Sequence, residues 1–258
     1  MFLTCKFMKV DPSWEVYSEL MNILLTSGKG YTYHIEERLD ASFDLNFYVR
    51  SVSKHNKGKL SEVYYEDLIP VRQISKEGEN FYLREVIEKS AYGPVYICTF
   101  EREPLENYVG ILAGNRVSGK ISAILRLLLH QILNRDVLPL RAVKFLIETR
   151  QREIRRIPDF YDVVELIVEN IGDQYVDWAW MKGTRLDQSE EYRKFVESQL
   201  GGILKVLAIK FRDRTYYLYN DGRIFTRQAD ISSSVKILGE IELFYEIVKR
   251  LHEADAIR

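Results

Sequence analysis

Cysteine and histidine are scarce in this chain, and neither is arranged for metal binding or catalysis. Its 258 residues include two cysteines, Cys5 and Cys98, and four widely separated histidines. Two distant cysteines cannot form a disulfide framework, and their scarcity favours a reducing, cytoplasmic location. Because the sequence has no HxH, HExxH or CxxC spacing, we predict no metal site and no cofactor.

Long apolar runs and an excess of charge are also missing. The apolar stretches fall well short of the ~18 residues that a membrane-spanning helix needs, so we expect no membrane partner. Residues 1–10 carry Lys6 and Lys9 within their apolar run, which predicts a strand rather than a signal peptide. With 37 basic and 38 acidic residues, the net charge of −1 gives no general attraction for nucleic acid. Any such binding therefore requires a local basic patch.

The clearest pattern is a three-stranded meander followed by a helix, between residues 203 and 251. Residues 203–211, 215–219 and 223–228 are rich in β-branched and aromatic types, and the Asn-Asp-Gly sequence at 220–222 is typical of a tight turn. From Ile237 to Leu251, apolar residues recur at the period of a helix. A meander and a helix of this kind predict a two-layer α+β core.

Further strands and helices of the same kind are predicted upstream. Strands are expected at 2–10, 31–37 and 43–52, a hairpin at 94–100 and 108–113, and helices at 12–26 and 121–133. A hairpin followed by a helix thus occurs twice, at 94–134 and at 203–251. We predict an α+β fold of mainly antiparallel sheet packed against amphipathic helices. The chain is expected to form either one large domain or two similar halves or domains, 1–136 and 137–258.

Several other segments are harder to assign. Residues 60–74 fit neither period, and Pro70 argues against a long helix there. Residues 81–89 favour a short helix, the apolar residues of 159–171 recur at helical spacing, and another helix is predicted after Asp187. Trp178 and Trp180 alternate on a predicted strand and so share a face. Core packing or a partner surface would explain them, and we expect at least one to be buried.

The first candidate site is a surface that combines basic and aromatic residues. One part is an arginine cluster in 148–157, and the other part lies on the meander. The residues predicted to contact nucleic acid or a protein partner are Arg150, Arg152, Arg155, Arg156, Lys210, Arg212, Arg214, Tyr217, Tyr219, Arg223 and Arg227. Guanidinium groups contact phosphates and aromatic rings stack on bases, so this composition suits single-stranded nucleic acid on a sheet face. The alternative is an ordinary amphipathic sheet whose outer face is charged for solubility.

A second candidate is the segment 114–120, between a predicted strand and a predicted helix. Gly114, Gly119 and Lys120 have the GxxxxGK spacing of a phosphate-binding loop. Ile121 follows in place of the serine or threonine that holds Mg²⁺, and no apolar strand ending in aspartate supplies the second metal ligand. The alternative is a glycine-containing turn into a helix, with a solvated lysine.

These observations leave three functional hypotheses. The leading one is a non-catalytic binding or adaptor protein that uses the basic and aromatic surface to contact nucleic acid or a protein partner. The second is a nucleotide- or phosphate-binding enzyme that uses residues 114–120. The third is a structural subunit of an oligomer, with aromatic residues such as Trp178 at the interface. The sequence identifies no catalytic residue.

Overall fold

A computed structural model shows a large antiparallel sheet with long helices packed on both of its faces. The structure describes residues 2–37, 41–77, 80–145, 163–172, 176–194, 203–230, 232–255 and 257. The sheet supplies more of the structure than the helices do, so the predicted α+β class holds only in a loose sense.

The secondary-structure elements are numbered in chain order. The strands are β1 (Leu3–Val10), β2 (Lys29–Glu37), β3 (Ala41–His55), β4 (Gly58–Glu77), β5 (Asn80–Phe100), β6 (Tyr108–Leu112), β7 (Leu140–Ala142), β8 (Val163–Glu169), β9 (Trp178–Lys182), β10 (Ile203–Phe211), β11 (Arg214–Tyr219) and β12 (Arg223–Thr226). The long helices are α1 (Trp14–Leu25), α2 (Asn115–Leu133) and α3 (Ser234–Glu253), and single turns of helix occur at Leu186–Gln188 and Glu190–Tyr192.

The strands of the described residues form one continuous sheet. Their order is β2-β3-β4-β5-β6-β1-β12-β11-β10-β8-β9, and β7 pairs with the end of β1. The first strand of the chain lies at the centre: Phe7 pairs with Gly110 of β6, and Cys5 pairs with Ile224 of β12. β1 therefore joins the strands of the predicted N-terminal half to those of the predicted C-terminal half.

The helices cover different parts of the two faces of this sheet. Helices α1 and α2 bury their apolar sides against β2–β6, where Phe47 and Ile111 are fully buried. Helix α3 packs on the opposite face, where Phe244 and Tyr245 belong to the same core cluster as Phe7. We call these the α1/α2 face and the α3 face. Because successive residues of a strand point to opposite faces, each strand residue belongs to one or the other.

The C-terminal meander and helix are confirmed. Strands β10, β11 and β12 pair antiparallel in sequence order, and their ends lie within two residues of the predicted ones. Helix α3 begins after Ser233, whose hydroxyl accepts a hydrogen bond from the backbone N–H of Lys236. The sequence signals were strong here because turn residues and two different apolar periods follow one another without overlap.

Two predicted helices are wrong. Within the segment 159–171, residues 163–169 form strand β8, and residues 81–89 lie within strand β5. Val163, Leu166 and Val168 of β8 are buried on the sheet. A short apolar strand with residues on both faces cannot be distinguished from a buried helix by periodicity alone. In β5, the residues are held extended by pairing with β4, which no local pattern reveals.

Candidate nucleic-acid interface

The structure places five of the predicted contact residues together on the α1/α2 face of the C-terminal strands. Lys210 of β10, Tyr217 and Tyr219 of β11, and Arg223 and Arg227 at β12 alternate with core residues of the α3 face. The predicted alternation is confirmed, because Leu207, Ile209 and Phe211 all lie in the α3 core. Strand pairing sets Tyr217 opposite Phe225, which extends this surface across β12.

The remaining predicted residues are not brought to this surface. Arg212 lies in the β10–β11 turn with a positive φ of 47°, and its guanidinium lies over the Phe211 ring. Arg214 belongs to the α3 face, where its Nη1 lies 2.5 Å from Oε1 of Glu240 on α3. Arg214 therefore connects α3 to the sheet, and it lies on the face opposite to Lys210 and Tyr217. The arginine cluster at 150–156 lies outside the described residues.

Two tryptophans extend the surface beyond what the sequence predicted. Trp178 and Trp180 on β9 are 60% and 58% exposed, so the expectation that at least one is buried is wrong. Trp180 pairs with Ile167 of β8, which packs with Val206 and Tyr217 on the α1/α2 face. The apolar cluster beneath these residues contains strand residues only, among those that the structure describes.

Ring contacts organise the other end of the same surface. Phe2 stacks on Phe225, with ring centroids 5.8 Å apart. The guanidinium carbons of Arg223 and Arg227 lie 4.2 Å from the Tyr219 ring centroid and 5.2 Å from that of Tyr217. We use the name aromatic–basic patch for Phe2, Trp178, Trp180, Lys210, Tyr217, Tyr219, Arg223, Phe225 and Arg227.

A buried carboxylate underlies the centre of the patch. Glu165 of β8 is only 4% exposed, and its two oxygens accept hydrogen bonds from Nε1 of Trp180 at 2.9 Å and from the Tyr217 hydroxyl at 3.1 Å. Burial, followed by the hydrogen bond to Glu165, raises the pKa of Tyr217. Glu165 on β8 therefore connects β9 to β11 and restrains the rings of Trp180 and Tyr217.

Acidic residues neutralise part of the positive charge. The Asp221 carboxylate lies 2.8 Å from Nε of Arg223 and also pairs with Lys6, whose pKa is lowered chiefly by burial. Lys210 is exposed, and no described carboxylate lies within 4.0 Å of its Nζ. Lys210 on β10 and Arg227, directly after β12, are both exposed, so a ligand can reach both side chains from solvent.

The segment 114–120 does not adopt the loop that phosphate binding would need. Helix α2 starts at Asn115, directly after Gly114, so Gly119 and Lys120 lie within the helix. The backbone N–H of Ser118 already donates to the Gly114 carbonyl at 3.0 Å. Nζ of Lys120 lies 2.7 Å from Oδ1 of Asp67 on β4. The alternative reading, a turn into a helix, fits this geometry, although the lysine has an acidic partner.

Comparisons with known proteins do not assign the chain to a class. Neither family models, nor curated proteins, nor solved structures give a match. Among the described residues, no helix has the length and apolar character needed to span a membrane. Likewise, no described cluster of three or more histidine, cysteine, aspartate or glutamate side chains is arranged to hold a metal ion.

Proposed function

We propose that this protein binds single-stranded nucleic acid on the aromatic–basic patch. The observation that carries the proposal is the exposure of Trp178 and Trp180 on the same sheet face as Tyr217, Lys210 and Arg227. Large aromatic side chains are seldom exposed in groups unless they contact a ligand or partner.

The dimensions of the patch suit a short, extended strand. Between β9 and β12 the sheet spans four strand spacings, or about 19 Å. The rings of Trp178 and Trp180 are two residues apart on one strand, which separates their positions by about 6.6 Å. Unpaired bases of an extended strand can stack on such a row of rings, whereas the paired bases of a duplex stay within their own stack.

The charges support a nucleic-acid ligand more than an apolar one. Lys210 and Arg227 flank Tyr217 and can contact phosphate groups while the rings receive bases. The net charge of −1 means that attraction arises at the patch and not from the whole molecule. Since about two to three cations contribute, we expect the logarithm of the affinity to fall with the logarithm of salt concentration with a slope of about −2.

The test is a binding titration with a short, fluorescently labelled single-stranded oligonucleotide. Binding is monitored as the fluorescence anisotropy of the label at two salt concentrations. Trp178→Ala and Trp180→Ala should each weaken binding by about 1–3 kcal/mol, the usual contribution of one stacked base. Trp14→Ala is the matched control, because Trp14 is 80% exposed on α1, away from the patch, and its loss should change nothing. Equal affinities for the wild type and for both patch variants would overturn the proposal. If no oligonucleotide binds even at low salt, a protein partner becomes the better hypothesis for the patch.

A further inference from the structure

Strands β4 and β5 continue past the rest of the sheet as a two-stranded ribbon. From Asp67–Ser90 to Glu77–Asn80, the two strands pair with each other over eleven residues. The neighbouring strand β3 pairs with β4 only between Gly58 and Tyr65. We call residues 67–77 and 80–90 the ribbon arm, and at ~3.4 Å per residue it is about 37 Å long. A ribbon of two strands is marginally stable in water unless it packs against something.

One face of the ribbon arm is unusually apolar for an exposed surface. Ile74 pairs with Leu83, and Phe81 lies two residues from Leu83 on the same face. These three side chains are 73%, 65% and 69% exposed. Pro70 and Ile87 pair further down the arm, and Ile87 is 42% exposed. A contiguous exposed apolar surface of this kind marks an interaction site.

The same face carries a positive charge, and its orientation is fixed by a contact with the sheet. Arg72, Lys76 and Lys89 lie on it with a single acidic residue, Glu85. The Glu66 carboxylate accepts hydrogen bonds at 2.9 Å from the backbone and side-chain N–H groups of Asn46, which lies on the α3 face of β3, so alternation along β4 places this face of the arm on the α3 face of the sheet. The sequence at the end of the arm, Glu-Gly-Glu-Asn at 77–80, is acidic. Acidic residues at the end disfavour insertion into an anionic bilayer or contact with phosphates.

A complementary surface exists on the same chain. On the α3 face of β2 and β3, the residues exposed between buried core residues are Thr32, His34, Asp44, Asn46, Tyr48 and Arg50. Glu62 and Glu66 of β4 continue this surface, so carboxylates outnumber the arginine. Tyr48 is 40% exposed and supplies an apolar ring at its centre. No described helix covers this surface, since α1 and α2 lie on the other face and the core cluster under α3 includes no residue of β2 or β3.

We propose that two copies of this chain form a two-fold dimer in which the ribbon arm of each copy lies across the α3 face of β2–β4 of the other. The arm and the receiving surface belong to one continuous sheet, so two copies stacked face to face can exchange arms reciprocally. An arm about 37 Å long and two strands wide presents about 370 Å² on one face. Counting both arms and both receiving surfaces, the contact would bury about 1,500 Å², the size of a stable protein–protein interface.

The first test is sedimentation velocity over a wide range of protein concentration, with the full chain. The wild type should be a dimer that dissociates on dilution. Ile74→Glu with Leu83→Glu should weaken the dimer by more than about a hundredfold, because two large apolar side chains in each of the two copies lose their burial. Tyr82→Glu is the matched control, because Tyr82 is 45% exposed on the opposite face of the same arm. Its dimer should be as stable as that of the wild type.

A mixing experiment separates arm exchange from other dimers. Tyr48→Glu damages the receiving surface and leaves the arm intact, so it should also be monomeric. An equimolar mixture of this variant with the Ile74→Glu, Leu83→Glu variant restores one arm-to-surface contact of the two. The mixture should therefore form a dimer at concentrations where each variant alone does not.

Far-ultraviolet circular dichroism checks that all variants are folded. A monomeric wild type, a dimer that the arm substitutions leave intact, or a mixture that stays monomeric would each contradict the proposal. None of these results depends on nucleic-acid binding.

Discussion

The indole Nε1 of Trp180 donates a hydrogen bond to the buried carboxylate of Glu165, at 2.9 Å. The other carboxylate oxygen of Glu165 accepts from the hydroxyl of Tyr217, whose strand β11 lies three positions away from the Trp180 strand β9 in the sheet. One side chain therefore holds rings from two separate strands at fixed positions on the sheet face. This relation connects folding to binding, because the rings proposed to stack on bases are positioned before the ligand arrives.

Removing the Glu165 carboxylate should destabilise the protein and weaken binding. Glu165→Ala leaves the buried Tyr217 hydroxyl without its acceptor, which costs about 1–3 kcal/mol in the free energy of unfolding. Glu169→Ala is the control on the same strand, since its ion pair with Lys205 is partly exposed and contributes at most about 1 kcal/mol. Urea denaturation measures both. Equal losses for the two variants would show that Glu165 has no special structural role.

The two cysteines restrict the residue that β6 can carry at position 110. A β-carbon there would lie 2.5 Å from Sγ of Cys98 and 2.9 Å from Sγ of Cys5, and both cysteines are fully buried. Gly110→Ala should therefore destabilise the protein by about 1–3 kcal/mol through overpacking. The loss should be smaller when Cys98→Ala is also present, because that change removes the nearer sulfur. A double-mutant cycle in urea gives the coupling, and strictly additive losses would be inconsistent with the contact.

Tyr216 should make the stability of the protein sensitive to alkaline pH. Burial, with a smaller contribution from the Glu240 carboxylate, raises the pKa of Tyr216 from its ordinary value of 10.0 to about 12. Between these values the folded state keeps the proton that the unfolded state releases. The contribution of this group to stability is therefore complete below pH 10 and is lost as the pH rises towards 12.

Tyr216→Phe should remove that dependence. Between pH 10 and 12, the free energy of unfolding should fall less in the variant than in the wild type, by about 2 kcal/mol. Chemical denaturation at closely spaced pH values measures the difference, with Tyr82→Phe, at an exposed position of the ribbon arm, as a control. Parallel curves for Tyr216→Phe and the wild type would mean that Tyr216 ionises equally easily in both states.

Nucleotides should not stabilise the protein through residues 114–120. Lys120 already pairs with Asp67, and the backbone N–H groups after Gly114 enter helix α2. We expect adenosine triphosphate with Mg²⁺ to leave the melting temperature unchanged in thermal denaturation. Lys120→Ala should cost at most about 1 kcal/mol, as for other partly exposed ion pairs. A nucleotide-dependent rise in melting temperature that Lys120→Ala abolishes would restore the enzyme hypothesis.

The sequence predicted those parts of the fold in which local signals and tertiary pairing agree. Strands β10–β12 and helix α3 have turn residues at their boundaries and clear apolar periods. Strand β8 was predicted as a helix because its residues are apolar on both faces. Residues 60–74 of β4 were left unassigned and residues 81–89 of β5 were predicted as a helix, because the length of these two strands depends on their pairing with each other. Neither property is encoded in a short window of residues.

The candidate site was predictable in part, for a related reason. Strand alternation was enough to place Tyr217, Tyr219 and Arg223 on one face. The separation of Arg214 from Lys210 depends on where the β10–β11 turn ends, since one residue of shift moves a side chain to the other face. The role of Glu165 could not be predicted, because Trp180 and Tyr217 reach it from strands far apart in sequence.

Tryptophan fluorescence of a Trp14→Phe variant tests the central claim most directly. The chain has three tryptophans, so in this variant all indole emission comes from Trp178 and Trp180 in the aromatic–basic patch. If bases stack on these rings, a single-stranded oligonucleotide should quench the emission in a saturable manner, and added salt should reverse the quenching. A duplex of the same sequence should quench far less. Saturable binding by anisotropy without any change in this emission would contradict the account, because the nucleic acid would then lie elsewhere on the molecule.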